Sequence, residues 1–223
     1  MTTRFSLYDF IAVLIPGLVF IWATSSFSDL VGITINISLT GGLAETSVLI
    51  ALAYVTGLLL QGISQGITEK ILTKIWGGFP SARWLLQEDN KFSKGYKEKI
   101  FQLVQKKFNI ALDSGGSRDE RMKKNQEIFY LCYNAVDKAK LSERPQLFNA
   151  QYGLFRCLLT SFCLLLLPGI LILITSKLNA GGKAFALLSF SFVGAIISYF
   201  RAKKRGEDFA KSIYDLFIVG FSE

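Results

Sequence analysis

The sequence predicts an all-α integral membrane protein with four transmembrane helices, arranged as two hairpins with a helical cytoplasmic insertion between them. Three observations predict it. Apolar runs occupy 9–27, 47–66, 153–175 and 184–200, each close to the roughly 20 residues that a helix needs to cross about 30 Å of hydrocarbon. Hydrophobic residues make up 51% of the 223 and mean hydropathy is +0.37, values that a soluble domain with clustered apolar runs rarely reaches. Lys and Arg are also sharply partitioned along the chain. The expected organisation is a first transmembrane hairpin (1–66), a basic helical domain (67–152), a second hairpin (153–200) and an amphipathic tail (201–223).

The first run, DFIAVLIPGLVFIWATSSF, has only Arg4 before it and no small-residue cleavage site after it. It reads as a retained helix and not as a signal peptide. Asp9 at its start can cap it and face water. Pro16-Gly17 lies within it, and Pro168-Gly169 lies within the third run. In both, Pro-Gly is followed by five to seven mostly apolar residues and then Thr-Ser (Thr24-Ser25 and Thr175-Ser176). Proline frees a backbone carbonyl one turn earlier and glycine admits a close neighbour, so both sites are candidate kinks or hinges. The shared pattern raises a parallel duplication of one hairpin; chance recurrence of Pro-Gly is the plainer alternative.

The second run carries Gly57, Gly62 and Gly66, the last two at GxxxG spacing, with Gln61 and Gln65 one turn apart and Ser64 and Thr68 nearby. Small residues permit close backbone approach and amides favour partners over lipid. These positions are the candidate helix-packing or oligomer interface, with a weaker echo at Gly194 and Ser198 in the fourth run. The alternative is a polar interfacial boundary that needs no partner. No run holds a mid-depth carboxylate, which argues against a proton-coupled transporter. Arg156, near the start of the third run, is expected to snorkel to the headgroups.

Residues 28–46 contain no Lys or Arg, whereas 67–152 contain 16 against 10 Asp or Glu, and the tail from Arg201 contains 5 against 4. Basic residues accumulate on the cytoplasmic side, so the central block, the tail and both termini are expected inside. Arg201, Lys203, Lys204 and Arg205 are candidate contacts for anionic lipid. The net charge of +8 then reports topology and a lipid surface in preference to nucleic acid.

Within the block, ITEKILTKIWG extends the second helix until Gly77-Gly78 and Pro80 stop it. A short element carries Trp84, Leu85 and Leu86. Phe92, Tyr96, Ile100, Val104 and Phe108 recur every four residues, giving an amphipathic helix with a basic opposite face. DSGGS at 113–117 is a turn, 119–140 a further helix, and Pro145 its stop. Glu88-Asp89 and Asp119-Glu120 are expected at helix N-termini. The apolar faces are wide enough to favour a compact domain over helices lying on the bilayer. In the tail, Phe209, Ile213, Leu216 and Phe217 can join that domain or lie on the membrane.

No catalytic, cofactor or metal site is assigned. Histidine is absent, which removes the usual general base and the Ser-His and Cys-His nucleophile systems. Cys132, Cys157 and Cys163 show no disulfide or metal-ligand spacing, and DSGGSRDE lacks the Gly-Lys-Ser/Thr of a phosphate loop.

The opening YDFIAVLIPG, Tyr8 to Gly17, resembles the start of small bacterial multi-pass membrane proteins of unknown function, some similar to membrane subunits of phage-defence systems. That resemblance implies the inner (cell) membrane and a soluble cytoplasmic protein partner. The expectation is a non-enzymatic, homo-oligomeric inner-membrane subunit coupling the membrane to that partner, as a sensor or permeability effector in antiviral defence. An ion channel or small-solute transporter built from the two hairpins is the alternative.

Overall fold

The computed structural model describes residue 8 and residues 10–30, 42–109, 115–175 and 181–221. Asp9, most of the 28–46 connection, Asp113-Ser114 and Ser176-Lys177 lie outside the described residues. Every element among the described residues is helical, with no strand. Three stretches are long and apolar enough to cross a membrane, Leu43–Arg83, Glu143–Ile170 and Ala184–Phe221, and Phe10–Ser26 is a shorter apolar helix. The chain divides into two compact units, 1–70 with 150–203, and 71–149 with 204–223.

In the first unit, a π-helical turn at Phe10–Leu14 leads into α1 (Ile15–Leu30). Pro16 lies two residues past that turn and has no N–H to give the carbonyl a turn before it, which favours the wider helix there. The next helix, α2 (Leu43–Ile63), runs on through a second π-helical turn at Ser64–Thr68 into α3 (Glu69–Ile75). The expected extension of the second apolar run is therefore present, and it ends where Gly77 and Gly78 adopt φ of 68° and 118°, a region that favours glycine.

The first two apolar helices pack antiparallel at backbone contact. A Cβ built on Gly17 would lie 1.9 Å from the carbonyl oxygen of Ala53, and one on Gly57 would lie 2.0 Å from that of Val13. Since 13 faces 57 and 17 faces 53, the chain directions oppose.

Two long helices complete the chain, α7 (Glu143–Thr175) and α8 (Gly181–Phe221), numbered after α4 (Pro80–Arg83), α5 (Lys94–Phe108) and α6 (Arg118–Lys138) of the second unit. Pro145 does not stop a helix; it sits in the first turn of α7, where no intrahelical donor is lost. Pro168 lies inside the unbroken α7, exposed, whereas Pro16 is buried behind a π turn. The two Pro-Gly pairs thus have different local structures. Phe162, Leu165, Ala23 and Ala184 form a small apolar cluster, in which the Phe162 ring meets Phe190 edge-on at 5.7 Å.

The second unit has its own core, made by α4 (Pro80–Arg83), α5 (Lys94–Phe108), α6 (Arg118–Lys138) and the end of α8. Trp84, Phe92, Ile100, Val104, Phe129, Cys132 and Val136 enclose Phe209, Ile213, Tyr214 and Phe217. The tail therefore belongs to this core, and the four-residue spacing along α5 marks its buried face. Ser93 caps α5 and Ser117 opens α6 with a full capping box, while Asn109 ends α5 in the left-handed region. The orphan carbonyls at the end of α4 are taken by Tyr214 Oη, which donates to Ser81 O at 2.6 Å, and Asn125 Nδ2, which donates to Ala82 O at 3.0 Å.

Asp119 and Glu120 occupy the first turn of α6 as expected. Glu88 and Asp89 do not start a helix; they lie in the turn after α4, where Glu88 pairs with Arg121 and Asp89 with Arg83. Lys97 of α5 is buried and donates to Leu86 O at 2.5 Å and to Asp89 O. Its ammonium closes the turn, and burial holds its pKa below the ordinary lysine range.

Candidate polar site in the apolar unit

The sequence marks Gly57, Gly62, Gly66, Gln61 and Gln65 as one interface, but the structure separates them. Gly57 is packed against Val13, whereas a Cβ on Gly62 or Gly66 meets nothing within 4 Å. Gln65 is exposed, and Gln61 Nε2 donates to Tyr8 Oη at 3.2 Å. In α8, Gly194 lies under the Phe162 ring, 2.7 Å from a built Cβ, and Ser198 is buried. Gly17, Gly57 and Gly194 therefore pack within the chain, as does Gly153 against Ala12 and Tyr8. Gly62 and Gly66 lie on a face left open among the described residues.

The basic run is partly engaged in the second unit. Lys204 and Arg205 both pair with Asp208, and Arg205 lies over the Phe148 ring. Arg201 is exposed and Lys203 half-buried.

The largest departure from expectation is Arg156. It does not reach for solvent: it is 4% exposed and sits in a polar cluster between the second apolar helix and α7. Its Nη1 donates to Glu69 Oε2, its Nε to Ser64 Oγ at 3.1 Å, and its guanidinium carbon lies 5.2 Å from the Tyr152 ring centre. A buried guanidinium needs such a partner, because an uncompensated charge is costly away from water. Burial of the pair is asymmetric, since the Glu69 side chain keeps 32% of its exposure.

Ser64 has no spare hydrogen-bonding capacity. It donates to Gln61 O at 3.0 Å and so accepts from Arg156 and from the Cys157 thiol, at 3.4 Å. Thr160 donates to Arg156 O at 3.0 Å, which leaves Thr68 as donor across the 2.7 Å contact between their hydroxyls. Both Ser64 and Thr68 belong to the π turn.

That turn explains how Glu69 reaches Arg156. The backbone N–H of Glu69 donates to Ser64 O, five residues back. In an α-helix, residues five apart point roughly 140° away from each other. The wider turn reduces that angle and presents Glu69 on the side where Ser64 already meets Arg156.

The sequence signal for this cluster is weak: one acidic and one basic residue at corresponding ends of two apolar runs. Tyr8, Tyr152 and Thr160 carry no sequence signal of their own. Among the described residues, no three Cys, Asp or Glu side chains are grouped to hold a metal ion. No family model, curated protein or solved structure matches the chain.

Proposed function

We propose that the chain is a non-enzymatic, multi-pass membrane subunit that holds a basic helical domain at the cytoplasmic face for a soluble protein partner. The observation that carries this reading is the closed aromatic core of the second unit, built from two sequence segments that both adjoin apolar helices. A unit with its own core is a folded module, not a set of helices needing lipid to cover them. The positive bias of 67–152 and the absence of Lys and Arg from 28–46 support four spans with both termini inside. The likeness of Tyr8–Gly17 to small bacterial multi-pass membrane proteins, some of them similar to phage-defence subunits, supports a sensor or permeability role in antiviral defence. Open Gly62 and Gly66 support assembly of copies through the second span.

Purification in mild detergent from the native host, with complex mass and copurifying proteins measured, tests the reading. A homo-oligomer carrying one stoichiometric soluble protein is expected; a bare monomer overturns it. Impermeant maleimide should label Ser38→Cys from outside intact cells and Lys99→Cys only after lysis.

A channel is the second reading, favoured by the polar cluster of Gln61, Ser64, Thr68, Glu69, Arg156 and Thr160 among apolar helices, because buried ionisable residues there often mark ion pathways. Ion flux into liposomes containing the purified protein separates the two: conduction by the protein alone favours the channel, and tight vesicles favour the coupling subunit.

A further inference from the structure

We propose that the π turn at Ser64–Thr68 is a two-register joint, and that the Arg156–Glu69 ion pair is the latch that holds it in the observed register. The turn and its latch both lie within the first unit, and the inference does not depend on the identity of any partner.

A π turn holds one more residue than the α turn it replaces. If it relaxes to α, every later residue of the helix shifts back by one place relative to the residues before it. Thr68 then takes the place of Glu69 above Ser64, and Ile67 takes the place of Thr68. The surplus residue has somewhere to go, since the helix ends at Ile75, just before the Gly77-Gly78 turn.

Three changes at the turn oppose the relaxation, and the buried Leu72 further along the helix would also turn out of its place. Glu69 would swing away from Arg156, Thr68 would leave Thr160, and Ile67, now exposed, would face the Thr160 hydroxyl. Loss of Glu69 is the decisive one, because Arg156 is buried and its guanidinium would lose the carboxylate it pairs with among the described residues. The joint is therefore bistable: polar pairing favours the π register, and regular helical geometry favours the other.

Few contacts hold the turn on its far side. A Cβ on Gly66 meets nothing within 4 Å, and Gln65 and Gly66 are exposed. The turn can thus rearrange without displacing packed side chains there. Any event that neutralises Glu69, or draws Arg156 to another anion, releases the joint and rotates the helix that follows.

Paired cysteines read the two registers in the full-length protein, in a background of Cys157→Ser and Cys163→Ala. Thr68→Cys with Thr160→Cys reports the latched register; Ile67→Cys with Thr160→Cys reports the released one. Crosslinked peptides are quantified by mass spectrometry after mild oxidation. Glu69→Gln is expected to shift the ratio toward the 67–160 product by about tenfold or more, and Arg156→Gln to shift it in the same direction. Deleting Gly66 removes the surplus residue, so ordinary α geometry carries Glu69 above Ser64. In that chain the 67–160 product should be absent even with Glu69→Gln.

Persistence of the 68–160 product alone in both charge variants overturns the proposal. So does an equal shift with and without Gly66. If neither charge variant folds, the unaltered latch still decides: the full chain should form a minor 67–160 product that the Gly66-deleted chain lacks, and equal yields overturn the joint.

Discussion

Gly17 and Ala53 meet backbone to backbone: the space a side chain would need at Gly17 is filled by the Ala53 carbonyl group, with the oxygen 1.9 Å from where a Cβ would be. With the reciprocal contact of Gly57 on Val13, this sets how closely the first two apolar helices approach.

Gly17→Ala or Gly57→Ala should therefore force the helices apart and destabilise the protein by about 1–3 kcal/mol, as overpacking does elsewhere. Gly62→Leu and Gly66→Leu should leave the thermal transition of the detergent-solubilised monomer unchanged. A loss of oligomer in those two variants then reports assembly and not misfolding. Unfolding by Gly62→Leu as severe as that by Gly57→Ala contradicts the assignment.

Glu69→Leu should destabilise by about 3–5 kcal/mol, toward the lower end because the carboxylate is partly exposed, since it leaves the buried Arg156 guanidinium uncompensated. Replacing both partners with Glu69→Leu and Arg156→Met should cost less than Glu69→Leu alone. A double-mutant cycle in denaturant tests the coupling; strictly additive losses refute it.

Alkaline pH should weaken the second unit through Tyr96. Its hydroxyl donates to Asp215 Oδ1 at 2.5 Å, and burial first, then that hydrogen bond and the Asp215 charge, raise its pKa well above the ordinary 10.0. The folded state keeps the proton after the unfolded state has lost it. Stability is thus fully present below pH 10.0 and falls as pH rises beyond it. Tyr96→Phe should show a shallower decline above that pH, measured by chemical denaturation at stepped pH; identical slopes would falsify the assignment.

Cys132 should resist maleimide in the native protein. It is fully buried and burial pushes its thiol up to about 12, so almost no thiolate exists at neutral pH. Labelling should follow opening of the second unit, and Phe217→Ala, which removes a core ring from the tail, should accelerate it. Fast labelling of the folded wild-type chain contradicts the core assignment.

The α5 face was legible because Phe92, Tyr96, Ile100, Val104 and Phe108 repeat at helical spacing, and periodicity is a local property. The Gly77-Gly78 stop was legible for the same reason. GxxxG was a misleading guide within the chain: spacing identifies a small-residue stripe but does not say which neighbour lies above it. Gly57, outside the pair, is the one in backbone contact. Pro145 was misread because a proline that ends one helix and a proline in the first turn of the next look alike until the helix start is known.

The sequence by itself determined the helical class, the apolar stretches and the charge asymmetry, since these depend on composition and on short-range periodicity. Only the tertiary structure decided where the tail goes. Phe209, Ile213 and Phe217 suit a membrane surface or a core equally well, and the aromatic rings of α5 and α6 settled it. It also decided the fate of Arg156, a residue read alone as reaching for headgroups. Its partner lies 87 positions away, and a widened helical turn, invisible in residue spacing, brings the carboxylate round to meet it.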